Sequence, residues 1–167
     1  MFTERFRLGL AALFVGISLT SEIASVRAGG SQSLVGDGVV KVRSAYPIGE
    51  TVQRLQADIR AKGIVFFSAL DQAELASKAG VKLRPSMLLT FGNPALGTLF
   101  LTSNPTAGLD WPVRLLVVED EKGRVWAEYT DFAWIARRHH IVNRDQAFQM
   151  ASKVIASITA AVQTNDP

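Results

Sequence analysis

The chain contains two histidines, His139 and His140, and imidazole is the side chain best suited to moving protons near neutral pH. Being adjacent, they project to different faces of a helix, which is poor geometry for holding one metal between them. His139 also has a bland reading, as a favourable charge at the negative end of a helix dipole. Its potential acid/base partners are Asp71, Asp110, Glu119 and Asp131, and a working pair needs a fold that brings the two groups together. Glu119, Asp120 and Glu121 form a run that reads as a solvated turn, while Asp131 precedes an apolar-periodic segment and reads as its N-cap. Asn93-Pro94 and Asn104-Pro105 flank the apolar stretch 95–102. Turn chemistry accounts for both; the alternative is two rigid loops facing each other across a pocket, with Asn amides as ligand contacts. Of the tryptophans, Trp126 is expected in the core and Trp111, beside Pro112, partly exposed.

Around these residues no established catalytic motif is found: no G-x-S-x-G elbow, H-E-x-x-H, P-loop, or G-x-G-x-x-G opening a helix. The 167 residues include no cysteine, which removes disulfides, thiol nucleophiles and thiolate metal sites. No cofactor and no metal is expected. The formal charge of +3 is small, and Lys and Arg are scattered instead of forming the basic face that nucleic-acid binding requires. A nucleic-acid partner is therefore not expected.

The N-terminus carries Arg5 and Arg7, followed by an apolar run from Leu8 to Leu19. That run is shorter than the roughly 17 to 25 residues of a spanning helix and fits a signal peptide. Val26-Arg27-Ala28 offers small residues for cleavage, so residues 1–28 are expected as a signal peptide and 29–38 as a Gly/Ser-rich linker. A single domain over 39–164 follows, periplasmic or extracellular, with no stable membrane anchor after cleavage.

The positioning elements are read from periodicity. Val39–Arg43 is a strand with Val40 and Val42 on one face. Residues 50–62 form an amphipathic helix through Val52, Leu55 and Ile59, stopped at Gly63. Ile64 to Phe67 reads as a buried strand. Residues 71–79 form a short helix with Asp71 as N-cap and Glu74 at its third position. Val81 to Phe91 continues as a strand, and 95–101 as a short helix. Val113 to Val118 and Arg124 to Tyr129 are a hairpin around the Glu119–Gly123 turn. Phe132 to His139 and Asn143 to Val162 are helices, the second capped by Asn143 and packing Phe148, Ala151, Ile155, Ile158 and Val162. Consecutive hairpin strands favour α+β, with a mixed or antiparallel sheet and helices packed on one face.

An ordered series of short motifs resembles the domain-of-unknown-function family 302. The series is Leu83-Arg84-Pro85-Ser86, Phe91-Gly92-Asn93-Pro94, Ala107-Gly108-Leu109-Asp110-Trp111-Pro112, Val117-Val118-Glu119-Asp120, Gly123-Arg124-Val125-Trp126, Tyr129-Thr130-Asp131 and Arg138-His139. The resemblance implies a small α+β domain of TATA-binding-protein-like topology, often dimeric, with no established activity. The family commonly has Asp-His where this chain has Asp71-Gln72, which weakens any metal or haem role here, and Asn-Asp-Pro where it has Thr130-Asp131-Phe132. The matching polar positions Asp71, Arg84, Asn93, Asp131, Arg138 and His139 are the expected ligand-binding set, and can equally be shared scaffold.

The leading expectation is an exported, homodimeric, non-enzymatic binding module for a small-molecule ligand or a protein partner. One alternative is a hydrolase or isomerase using His139 with Asp71 or Asp131. The other is a structural or assembly dimer.

Overall fold

Alternation of valine with basic residues in Val39–Arg43 forms strand β1, whose Val40 and Val42 are buried while Lys41 and Arg43 face out. This is seen in a computed structural model that describes Gly36 and residues 38–164. The expected signal peptide and most of the expected linker lie outside the described residues. Gly38 belongs to the domain: its carbonyl accepts from the Asp131 amide at 2.8 Å, and at φ +76° a Cβ there would lie 2.3 Å from the Trp134 ring.

Helix α1 (Ile48–Ala61) begins two residues earlier than its periodicity suggests, after Pro47. Its Leu55 and Ile59 are fully buried, as is Thr51, whose hydroxyl donates to the Tyr46 carbonyl and is bonded to Ser44 Oγ. A buried hydroxyl needs such partners, and a search for apolar periodicity passes over it. Strand β2 (Val65–Asp71) corrects the expectation of a buried strand. Among the described residues it is an edge strand bonded to β3 alone, with Val65, Phe67 and Leu70 exposed. A short apolar run carries no information about sheet position, which is why the sequence misleads here.

Helix α2 (Gln72–Lys78) has the expected cap, Asp71 Oδ1 accepting from the Glu74 amide at 2.8 Å. Strand β3 (Ser86–Gly92) starts only after Pro85, so 81–85 is not strand. Helix α3 (Pro94–Ser103) and a 3-10 turn (Pro105–Leu109) lead into the hairpin of β4 (Val113–Glu119) and β5 (Val125–Thr130). Helices α4 (Phe132–Arg138) and α5 (Asp145–Ala160) are the last described elements. Asn143 does not cap α5. The residue before the helix is Arg144, which makes no side-chain cap bond, and Asn143 Oδ1 instead takes the Ser103 hydroxyl.

The five strands form one antiparallel sheet in the order β1-β5-β4-β3-β2. Register aligns Val40, Tyr129, Leu115 and Leu89 in a row across four strands. All four are buried, in one cluster with Leu55 and Ile59 of α1 and Phe148, Ala151, Ile155 and Ile158 of α5. The strand period of two sends alternate residues to the other face, where Lys41, Glu128, Leu116, Leu88 and Leu70 form the neighbouring row. Trp126 belongs to this second face and is half-buried, correcting its expected place in the core. Its partners in the register are Arg43 and Val118.

Candidate functional site

The 3-10 turn delivers Asp110 beneath the end of α4, where it meets three cationic or cation-forming side chains. His139 Nε2 lies 2.7 Å from Asp110 Oδ2, Arg138 Nη1 donates to both carboxylate oxygens at 3.1 and 3.0 Å, and Arg114 Nη2 donates to Oδ1 at 3.0 Å. The Asp110 and His139 side chains are 3 and 4% exposed, so water does not supply their hydrogen bonds. The other imidazole nitrogen, Nδ1, is 3.0 Å from Thr106 Oγ1. Thr106 is in turn held by Asn104 Oδ1, which accepts from its hydroxyl and its amide, while Asn104 Nδ2 donates to the His139 carbonyl at 2.8 Å.

The Asp110 carboxylate and both ring nitrogens of His139 are thus occupied by protein. The depression beside it, at Asp110, Arg114 and Phe132, has a volume of about 10 Å³, roughly the space one water needs. His139 therefore does more than complement a helix dipole: it is a buried link between the 3-10 turn and α4. His140, next to it, is exposed and takes φ +51°.

The expected binding residues divide. Arg138 and His139 join Asp110, a carboxylate 28 and 29 positions away that was a candidate partner. Asp71 and Asp131 do not meet His139. Asp71 caps α2, and Asp131 Oδ1 accepts from the Trp134 amide at 2.7 Å to cap α4. Arg84 pairs with Glu121 at 3.2 Å on the exposed surface. Asn93 caps α3, its Oδ1 accepting from the Ala95 and Leu96 amides at 2.9 and 3.2 Å. Asn104 performs the same service for the 3-10 turn, so both Asn-Pro steps act through turn chemistry. Among the described residues no group of three His or acidic side chains is placed to hold a metal ion.

On the other side of the Asp110-Trp111 peptide lies a different environment. The half-buried Trp111 ring packs over α3, where Gly97 makes the approach feasible: a Cβ at that position would lie 2.1 Å from Trp111 Nε1. Phe67 of β2 meets the indole edge-on at 6.1 Å. The ring forms one wall of a cleft of about 420 Å³ between β3, α3 and α5, with Phe91, Leu96, Phe132, Met150 and Val154 among its apolar walls. That volume is in the range of about 300 to 1,000 Å³ typical of small-molecule sites, as is the mainly apolar lining. Lys62 and Lys153 stand in the same lining. Asn93 is the one expected binding residue that reaches this cleft. The sequence signal for the Trp111–Gly97 contact is weak: Gly inside a helical run next to apolar residues marks a close approach without naming its partner.

The open face of the sheet carries a wider groove of about 890 Å³. Its charges are largely matched among themselves: Lys41 with Glu128 at 3.0 Å, Arg84 with Glu121, and Arg124 with Asp120 at 2.7 Å. The Trp126 indole N–H donates to Asp120 at 2.9 Å, and that bond is the largest cause holding the Asp120 carboxyl well below the usual carboxylate range.

An antiparallel five-stranded sheet with α1 and α5 packed on one face and the other face open defines a small α+β domain. The family described as domain of unknown function DUF302 matches residues 40–164, and the chain belongs to that family. A crystal structure of an uncharacterized conserved DUF302 protein from Bacillus stearothermophilus shares the fold, with a TM-score of 0.69 at 16% identity over 75% of this chain and 98% of that one. Curated relatives include the fluoride-specific ion channel FluC 1 of Brucella suis biovar 1 (strain 1330) and FluC 1 of Brucella abortus biovar 1 (strain 9-941). Both are 35% identical over 135 residues, 80% of this chain, and the match covers 53% and 50% of the relatives. The chain thus spans about half the length of the curated relatives it matches. Among its described residues no helix is long and apolar enough to cross a membrane.

Proposed function

We propose that this protein is a non-enzymatic binding module that takes a small apolar-bodied ligand into the cleft walled by Trp111. The observation that carries the reading is the contrast between the polar cluster at Asp110, with about 10 Å³ beside it, and an apolar-walled cleft of about 420 Å³ at the next residue. A binding site needs room and apolar walls, and the cleft supplies both. Native mass spectrometry of protein purified from its own host tests this. A retained small-molecule mass that is lost in Val154→Trp, which fills the cleft, supports it; a retained mass unaffected by that variant contradicts it.

The proposal includes export and self-association. The Arg5/Arg7 and Leu8–Leu19 pattern supports secretion to the periplasm or beyond, and the open sheet face with its self-matched charges supports an isologous dimer, since a two-fold interface must be complementary to itself. A protein partner is the other candidate occupant of that face. The fluoride-channel names of the Brucella relatives make a membrane ion channel the partner to test first. The measurement is fluoride tolerance of a strain deleted for this chain, and unchanged tolerance counts against that partner.

One observation favours a second reading, catalysis. Asp110, His139 and Thr106 form an acid–imidazole–hydroxyl chain with contacts of 2.7 and 3.0 Å, the arrangement that activates a nucleophile, with Asp110 in place of Asp71 or Asp131. Against it stand the two arginines on Asp110, the Asn104 bond to Thr106 and the lack of space for a substrate. Covalent labelling of Thr106 by a fluorophosphonate, abolished in His139→Gln, would favour the hydrolase.

A further inference from the structure

We propose that the ligand of the Trp111 cleft is a monoanion with an apolar body, a carboxylate such as a medium-chain fatty acid or an arylacetate. This inference rests on the cleft being the binding site. It starts from the polar groups among the cleft's walls. Among the described residues no Asp or Glu lines it, whereas two lysines do. Lys62 shares its charge with Asp58, its Nζ donating to the carboxylate at 2.6 Å. Lys153 is exposed on α5 and has no acidic partner among the described residues. The Trp111 indole N–H, lying over Gly97, makes no hydrogen bond among the described residues, yet it is not a buried orphan. These three groups are all donors; Asn93, also in the lining, spends its Oδ1 on the Ala95 and Leu96 amides, and the Ser157 hydroxyl can donate or accept.

Two unpaired donors, on Lys153 and Trp111, beside Lys62 and with no carboxylate among the described lining residues, fit a ligand whose polar end only accepts. An ionised carboxylate is such a group, with no proton to give and roughly four acceptor positions. A hydroxyl uses the same donors less well, because hydrogen bonds to charged groups are the stronger ones. A cationic head would meet Lys153 as a like charge, with no carboxylate in the lining to offset it. The aromatic and aliphatic walls take a flat ring or a chain equally, so the headgroup is what this site selects.

Hydrophobicity alone predicts the opposite preference, since a neutral alcohol leaves water more readily than the matching carboxylate. That opposition makes the test sharp. Isothermal titration of the purified protein is run with decanoate, 2-naphthylacetate, their neutral counterparts decanol and 2-(2-naphthyl)ethanol, and decyltrimethylammonium, all below micelle formation. At least one carboxylate is expected to bind with one-to-one stoichiometry, about tenfold tighter than its alcohol, and to weaken with salt as an exposed charge contact does. Lys153→Gln is expected to reduce that carboxylate's affinity about two- to fivefold, the scale of an exposed ion pair, and Trp111→Phe to reduce it by a larger factor than it reduces the alcohol's.

Alcohols binding as tightly as carboxylates, or the quaternary ammonium binding best, overturns the anion assignment and leaves the cleft as the site. Carboxylate binding unaffected by both Lys153→Gln and Trp111→Phe places the anion elsewhere and overturns the proposal. No binding of any of the five compounds overturns the proposal and the cleft reading together.

Discussion

Asp110 and Trp111 are neighbours in the chain and occupy opposite kinds of surroundings. Asp110 is enclosed by Arg114, Arg138 and His139, with every hydrogen-bonding position used inside the protein. Trp111 walls an apolar cleft, and its indole N–H makes no hydrogen bond among the described residues. The difference teaches that the residues most suggestive of chemistry, an imidazole beside a carboxylate, can be the ones a fold uses for its own closure. A buried charge is tolerated only when paired and hydrogen-bonded, and satisfying that condition leaves nothing for a ligand. The cleft has groups to spare.

The largest break in the comparison comes from Asp110→Ala. It strips His139 and two arginines of their common acceptor, and removing one partner of a buried pair costs about 3 to 5 kcal/mol. The lower end applies, because Arg114 and Arg138 side chains are 52 and 43% exposed and turn to water. Urea unfolding reads this as a lowered midpoint; a loss under about 1 kcal/mol, the scale of a surface pair, means the cluster does not hold the fold.

Next comes Gly97→Ala. Alanine gains about 1 kcal/mol in helix propensity, yet its Cβ would meet the indole, and overpacking costs about 1 to 3 kcal/mol. A net loss of about 1 kcal/mol is expected, together with a changed Trp111 environment in near-ultraviolet circular dichroism. A more stable variant with an unchanged spectrum would show that the indole does not rest on this glycine.

Asn93→Ala removes the acceptor for two amides at the start of α3 and is expected to cost about 0.5 to 2 kcal/mol in thermal unfolding. Lys153→Gln has the smallest expected effect on stability, within about 0.5 kcal/mol, because Lys153 is exposed and has no acidic partner among the described residues. A clear loss of stability there would give Lys153 a scaffold role and weaken its part in recognition.

Local signals were legible in the sequence and long-range ones were not. The β4–β5 hairpin, the buried face of α5 and the Asp71 and Asp131 caps follow from spacings of a few residues, where turn and helix geometry act directly. Strand β2 was readable as a strand but not as an edge, since its apolar residues look alike in either position. Trp126 lies on the open face and not in the core, since alternation assigns it to a face without saying which face is covered. The Asp110 to His139 contact joins residues 29 positions apart, and only the packing of the 3-10 turn against α4 selects Asp110 from the available carboxylates. The cleft depends on Gly97 and Trp111 meeting, and neither residue announces the other.

The central claim, that Trp111 faces the ligand while His139 closes the fold, is tested most directly by heteronuclear NMR during titration with 2-naphthylacetate. The prediction is a saturable shift of the Trp111 indole N–H resonance, assigned through Trp111→Phe, with the His139 ring and Thr106 signals unmoved. Shifts at His139 and Thr106 with the Trp111 resonance unchanged would contradict it.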